Sequence, residues 1–183
     1  MRRGLATLLA AAVAVLVAVP LGIAATSSGT DERGDVEGAP AGGAARADIV
    51  SATAGRTSDG QIKHTVTVAG AAADPAQGDL VTYLYIEAPV APSAHHDCTY
   101  FVGRHRGRIG VYLCGTAERL GSARVVRTSA NTTRYTFSPR TIGNPKTYEW
   151  AVVTRTLGNA VGTRTRHDRV PTGDEFFIQQ KVR

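Results

Sequence analysis

From Asp48 onward, β-branched and aromatic residues come in short runs, and each run ends at a Gly, Pro, Asn or Asp. No part of this region repeats its apolar residues with the helical period of 3.6. Several short strands at regular spacing, separated by turn residues, are typical of antiparallel sandwiches and barrels. We therefore predict one all-β domain over residues 48–183, an antiparallel β-sandwich of immunoglobulin-like or jelly-roll-like type.

Two of the runs also predict how their strands are buried. In Gln61–Ala69, His64 and three aliphatic residues alternate with Lys63 and two threonines, which indicates a strand with one buried face. Leu80–Glu87 is apolar on both faces, which indicates a central strand. The other predicted strands are Asp48–Ala54, Ala123–Thr128, Arg134–Ser138, Thr147–Leu157, Val161–Arg166 and a short edge strand through Phe176, Phe177 and Ile178.

The chain begins with two positive charges, Arg2 and Arg3, followed by an apolar run from Leu5 to Val19 that ends at Pro20. A positively charged start, a short apolar core and small residues at a cleavage site ending at Ala25 are typical of a secretory signal peptide. We predict such a signal peptide over residues 1–25. The uncharged stretch is also long enough for the alternative, an uncleaved membrane anchor. With cleavage, we expect a secreted product, extracellular or associated with the cell wall, that has no further contact with the membrane.

Residues 26–47 consist mainly of Gly, Ala, Ser and charged residues, and Val36 is their only large aliphatic residue. Such a segment buries too little apolar area to offset the entropy lost on ordering, so we predict a flexible linker. The whole chain carries 21 basic and 15 acidic residues, a net charge of +6. Arginine, Ala, Gly and Val are all abundant, and a high-GC bacterial coding sequence would account for part of this basicity without any anionic partner.

The two cysteines flank a basic segment centred on His105–Gly107. In a hairpin with these three residues as its loop, Cys98 lies opposite Cys114, and Gly107 takes the left-handed position that such a loop favours. Opposed β-carbons in neighbouring strands are near disulfide distance, and export to an oxidising compartment agrees with a disulfide. The alternative is a redox or metal-binding pair, although the spacing differs from C-x-x-C.

The same hairpin register places Tyr100 opposite Tyr112 on one face. The other face carries the better core candidates, Phe101, Ile109, Val111 and Leu113. Tyr100 and Tyr112 would then form an outward aromatic pair that could bind a sugar ring. The simpler alternative is a cross-strand pair that only stabilises the sheet.

Three arginines, Arg104, Arg106 and Arg108, would project from the hairpin tip, and Arg164–His167 adds a second basic segment. Clustered cations attract anionic polymers such as wall teichoic acid. We do not expect a nucleic-acid partner, because aromatic residues are not interleaved with these arginines as in nucleic-acid-binding surfaces. The alternative is that the arginines only reflect codon usage.

The spacing of the histidines, acids and possible nucleophiles along the chain does not indicate a metal site or a catalytic site. Neighbouring residues of an extended chain point to opposite sides, so His95 and His96 would rarely share an ion. The other metal-ligand candidates are Asp97, His105, His167 and Asp168. The loop acids that could bind calcium are Asp74, Asp79, Asp97, Asp168 and Asp174. No loop has the dense D-x-D pattern of a calcium loop, and no activated nucleophile is visible, so we predict no metal, no cofactor and no enzyme activity.

Three segments, Asp48–Ser51, Tyr148–Val153 and Asp168–Gly173, give the chain its resemblance to a group of secreted bacterial β-sandwich domains, the DOMON-like and carbohydrate-binding-module group. The resemblance implies a sandwich whose faces or end loops bind sugars or, in some members, haem. A Met/His haem pair is missing, because the only methionine is Met1.

Together, these features predict a secreted, non-catalytic binding domain at or outside the cell envelope, with a glycan or an anionic wall polymer as its ligand. The alternatives are a structural or protein-interaction domain without a small ligand and, third, an extracellular hydrolase.

Overall fold

The protein was analysed as a computed structural model that describes residues 25–38, 44–75, 80–88, 98–157, 164–171 and 178–182. The predicted signal peptide, apart from Ala25, lies outside the described residues. The strands, numbered in chain order, are β1 (Ser27–Thr30), β2 (Ile49–Arg56), β3 (Ile62–Val68), β4 (Leu80–Glu87), β5 (Tyr100–His105), β6 (Arg108–Leu113), β7 (Arg119–Gly121), β8 (Ala123–Arg127), β9 (Thr132–Phe137), β10 (Thr147–Leu157), β11 (Arg164–Val170) and β12 (Ile178–Lys181). Helix α1 spans Ala44–Ala47, and a 3-10 turn spans Pro139–Ile142.

The strands form two antiparallel sheets, as the sequence predicted. The first sheet has the order β1-β2-β3-β9-β8, and the second has the order β11-β10-β4-β5-β6-β7. β12 joins the second sheet by pairing with the first half of β10, while β11 pairs with the second half. Among the described residues, no helix has both the length and the apolar character needed to cross a bilayer.

One large core lies between the two sheets. The first sheet contributes Ile62, Val66, Tyr135 and Phe137, and the second contributes Leu84, Ile86, Val102, Val111, Tyr148, Trp150 and Val152, among others. Trp150 is fully buried and is the largest of these side chains. Burial of apolar area at roughly 25 cal/mol per Å² is the main force that holds the two layers together.

The burial pattern confirms the two strand faces that the sequence predicted. In β3, Ile62, His64, Val66 and Val68 are buried and the residues between them are half-buried. β4 has buried residues on both faces, with no exposed position, and lies between β10 and β5, which confirms it as a central strand. The strand predicted at 161–166 instead spans Arg164–Val170, and Phe176 and Phe177 of the predicted edge strand lie outside the described residues.

The flexible linker predicted over 26–47 is wrong for part of its length. Ser27–Thr30 is the edge strand of the first sheet, and Ala44–Ala47 is a short helix. The Ser27 hydroxyl accepts a hydrogen bond from Trp150 Nε1 at 2.9 Å and donates one to Gln180 Oε1 at 2.6 Å. A Cβ at Gly29 would lie 2.6 Å from side-chain atoms of Val170 and Ile178, so β1 crosses the second sheet at very close range. Backbone pairing and buried polar contacts order this strand in the absence of apolar side chains.

His64 is a fully buried imidazole inside the core. Its Nε2 lies 2.7 Å from the Tyr148 hydroxyl, and its ring packs edge-on against Trp150 at a centroid distance of 5.0 Å. Its Nδ1 has no hydrogen-bond partner among the described residues. Burial lowers the pKa of His64 from 6.5 to about 3, because the apolar surroundings disfavour the charged ring.

We predict that His64 makes folding sensitive to acid. Below pH 6.5 the unfolded chain binds a proton that the folded chain excludes until about pH 3. The contribution of His64 to the free energy of unfolding is therefore fully present above pH 6.5. It is lost as the pH drops towards 3, at up to about 1.4 kcal/mol per pH unit. Urea denaturation of the wild type and of His64→Gln, measured between pH 7 and 4, should give a shallower decline for the variant.

The control for this experiment is Lys63→Gln, a substitution next to His64 on the half-buried face of β3, which removes no group that titrates between pH 7 and 4 and should keep the wild-type slope. Parallel pH profiles for the wild type and His64→Gln would contradict the assignment.

Candidate functional site

The β5–β6 hairpin carries most of the residues that the sequence singled out. His105 pairs with Arg108 and Tyr100 pairs with Leu113, so the loop has two residues, Arg106 and Gly107, in place of the predicted three. Both loop residues have positive φ, 47° and 76°, which is the signature of a type I′ turn. The true register is therefore shifted by one residue from the predicted one.

The predicted disulfide is confirmed. Cys98 and Cys114 are bonded, with their Cα atoms 6.1 Å apart. Within a regular ladder, a shift of one residue would turn the two side chains to opposite faces. Both cysteines lie just outside their strands, however. Cys98 precedes β5, and Cys114 lies where the backbone turns after Leu113, next to Gly115, which has a φ of 86°. The irregular backbone lets the bond form despite the shifted register.

The predicted outward pair of Tyr100 and Tyr112 is wrong because of this shift. Tyr100 faces the main core, whereas Tyr112 lies on the opposite face of the sheet. The aromatic pair that forms is Phe101 with Tyr112, stacked at 5.0 Å with an interplanar angle of 14°. Phe101 thus points away from the main core, where the sequence had placed it, and the core positions predicted at Val111 and Leu113 are confirmed.

The stacked pair belongs to a small aromatic cluster on the outer face of the second sheet. Val81, Tyr83, Phe101 and Tyr112 form this cluster, and each is at most 6% exposed. The Tyr83 hydroxyl donates to the Arg104 carbonyl at 3.1 Å, and the Tyr112 hydroxyl donates to the Arg108 carbonyl at 2.7 Å. The cluster is too buried to act as a sugar-stacking platform, and its hydroxyls hold the backbone of both strands near the hairpin tip.

The hairpin tip presents the predicted arginines with different exposure. Arg106 and Arg108 are exposed, whereas Arg104 is half-buried and lines a small cavity with Asp74. Arg119, in the neighbouring strand β7, joins them because its guanidinium donates to the Ile109 carbonyl at 3.3 Å. We call Arg104, Arg106, Arg108 and Arg119 the basic tip. Arg119 was missed because a three-residue strand leaves no periodic signal in the sequence.

Asp168 is the candidate metal ligand that the structure places among other acids. One carboxylate oxygen from each of Asp31, Asp35 and Asp168 lies within 4.8 Å of the other two. Burial is the main cause that raises the pKa of Asp168 from 3.8 to about 7, and the Asp31 carboxyl adds to it. The Ile49 and Arg169 amides, which donate to Asp168, act in the opposite direction.

Of the remaining histidine candidates, His105 is the one whose side chain the structure describes. His105 packs edge-on against Tyr112 at 5.5 Å, beside the aromatic cluster. His95, His96 and Asp97 lie outside the described residues, as do Asp79, Asp174 and the side chains of Arg164–His167.

The fold and site together define a disulfide-bonded all-β sandwich domain with arginines concentrated at one hairpin tip. No protein-family model, no curated protein and no solved structure matches this chain.

We predict that the disulfide stabilises the domain mainly by restricting the unfolded chain. Replacing both Cys98 and Cys114 by serine should lower the free energy of unfolding by about 3 kcal/mol, the value for a loop of this length. Urea denaturation of both proteins, with and without reductant, would measure the difference. Reductant should bring the wild type to the midpoint of the variant and leave the variant unchanged; a wild type insensitive to complete reduction would contradict the prediction.

Proposed function

We propose that this protein is an exported, non-catalytic domain that binds an anionic polymer of the cell wall, such as teichoic acid, through the basic tip. The observation that carries the proposal is the exposure of Arg106, within the two-residue turn, and of Arg108, directly after it, with Arg119 beside them. Guanidinium groups form charge-assisted, frequently bidentate hydrogen bonds with phosphate, the repeating anion of a teichoic acid.

The hairpin holds these arginines on a backbone that is already ordered. The disulfide closes the base of the hairpin, and the tyrosine hydroxyls of the aromatic cluster bind the carbonyls of Arg104 and Arg108 near its tip. A surface that is ordered before binding loses less conformational entropy when the ligand arrives. Flexible arginines on a mobile loop would not have this advantage.

Export is the second element of the proposal. The positive start and apolar run of the first 25 residues favour a signal peptide, and a disulfide agrees with an oxidising compartment. A wall polymer is the abundant polyanion that an exported bacterial protein meets. The outer-face aromatic residues, being buried, give less support to a neutral glycan as the ligand.

We predict that the basic tip sets both the strength and the salt dependence of wall binding. The test variant is Arg106→Asn together with Arg108→Gln, because Asn-Gly is a favourable type I′ turn and the hairpin should keep its shape. Binding of the purified protein to cell walls and to soluble poly(glycerol phosphate) is measured from 50 to 300 mM NaCl. The slope of log affinity against log salt should fall by about one for each contacting arginine removed.

The matched control is Arg124→Gln together with Arg134→Gln, two exposed arginines on the outer face of the first sheet. It removes the same charge from another surface and should leave most of the binding in place. If the two double variants lose affinity equally, binding reflects net charge and not the tip, and if neither loses affinity, the proposal is wrong.

A further inference from the structure

We propose a divalent-cation site, suited to Ca²⁺, that is formed by the carboxylates of Asp31, Asp35 and Asp168, with Asp48 beside them. This inference does not depend on the proposed polymer binding, since these acids lie outside the segments that form the basic tip.

The three carboxylates are close enough to share one ion. An oxygen of each lies within 4.8 Å of the other two. Oxygen ligands bind Ca²⁺ at 2.3–2.6 Å, so two ligands of the same ion stand up to about 5 Å apart. The donors are all carboxylate oxygens, which are hard ligands that suit Ca²⁺ better than the softer transition metals.

Asp48 supplies a separate observation that points to a cation. It is 4% exposed, and its Oδ2 accepts a hydrogen bond from the Gly34 amide at 2.8 Å. Gly34 lies within the loop that carries Asp31 and Asp35, so the carboxylate of Asp48 faces that loop. The other oxygen, Oδ1, is buried and has no hydrogen-bond partner among the described residues. A buried carboxylate oxygen without a partner is costly, and a cation at this loop would satisfy it.

The site joins the two sheets at one end of the sandwich. Asp31 follows β1, and its amide donates to the Val50 carbonyl in β2 at 3.3 Å. Asp168 belongs to β11 of the second sheet, and its carboxylate accepts the amide of Ile49 at the start of β2. Asp31 is held by its backbone hydrogen bond to β2 and Asp168 by its strand, so these two ligands are placed before an ion arrives. A bound ion would therefore strengthen the contact between the N-terminal strands and β11.

Three arginines lie close to these acids in the sequence. Arg33 and Arg46 are exposed, so water screens their charges, and Arg169, which is half-buried, is next to Asp168. Neutralisation by these arginines is the competing explanation for the acidic cluster, and it predicts no response to added calcium.

The experiment measures thermal unfolding of the purified protein in EDTA and over a CaCl₂ titration, at constant ionic strength. The midpoint of the wild type should rise saturably, by about 5 °C or more once Ca²⁺ exceeds its dissociation constant a hundredfold. Asp35→Asn tests the site because Asp35 is exposed and its loss should not impair folding. In this variant the affinity for Ca²⁺ should fall at least tenfold, while its stability in EDTA equals or exceeds that of the wild type, since a repelling charge is gone.

The matched control is Asp59→Asn, which removes an exposed acid at the opposite end of β2 and should respond to Ca²⁺ as the wild type does. Asp168→Asn gives a second test by direct calcium titration calorimetry, and its folding is checked by circular dichroism. No calcium-dependent shift in the wild type up to 10 mM would overturn the proposal. An equal response of Asp35→Asn and the wild type would overturn it as well, and equal shifts with CaCl₂ and MgCl₂ would overturn the preference for calcium.

Discussion

The requirement that buried polar groups find partners shapes the edges of this sandwich. Trp150 is fully buried, and its indole N–H therefore needs a hydrogen-bond acceptor within the protein. Ser27 of β1, the edge strand of the first sheet, supplies that acceptor. At another point, Thr154 donates to the Ala47 carbonyl and Asp168 accepts the Ile49 amide. Polar contacts thus help to attach residues 27–49 to the second sheet.

This mode of attachment explains which strands the sequence could predict. β3, β4 and β10 carry alternating or continuous apolar residues. Such a pattern follows directly from the burial of one or both faces of a strand, so it can be read from the local sequence. β1 has the sequence SSGT, which resembles any polar loop. Its partners, Trp150 and Gln180, are more than 120 residues away in the chain, so no local pattern records them. The resemblance to carbohydrate-binding sandwiches stays a prediction, whereas the fold class is confirmed.

The hairpin shows why a correct contact can follow from an incorrect register. Gly107 suits a three-residue loop and a type I′ turn equally well, and the second option needs Arg106 at positive φ, which arginine seldom adopts. A shift of one residue reverses the faces of Tyr100 and Phe101, which removed the predicted aromatic pair. Exposure of arginines at the tip hardly depends on register, so that part of the candidate site was predictable. Arg119 was not, because only the pairing of β7 with β6 brings it there.

The topology also separates charges that the net value of +6 combines. The basic tip lies on β5, β6 and β7, and Asp168 lies on β11, with β10 and β4 between them. Three to five strand spacings of about 4.8 Å put roughly 14–24 Å between the two groups, beyond the screening length of about 8 Å at physiological salt. The arginines at the tip therefore do not neutralise the acidic cluster, and the cluster does not weaken the field at the tip. A basic chain can in this way hold a polyanion at one edge of a sheet and a cation at the other, and neither ligand needs the other to bind.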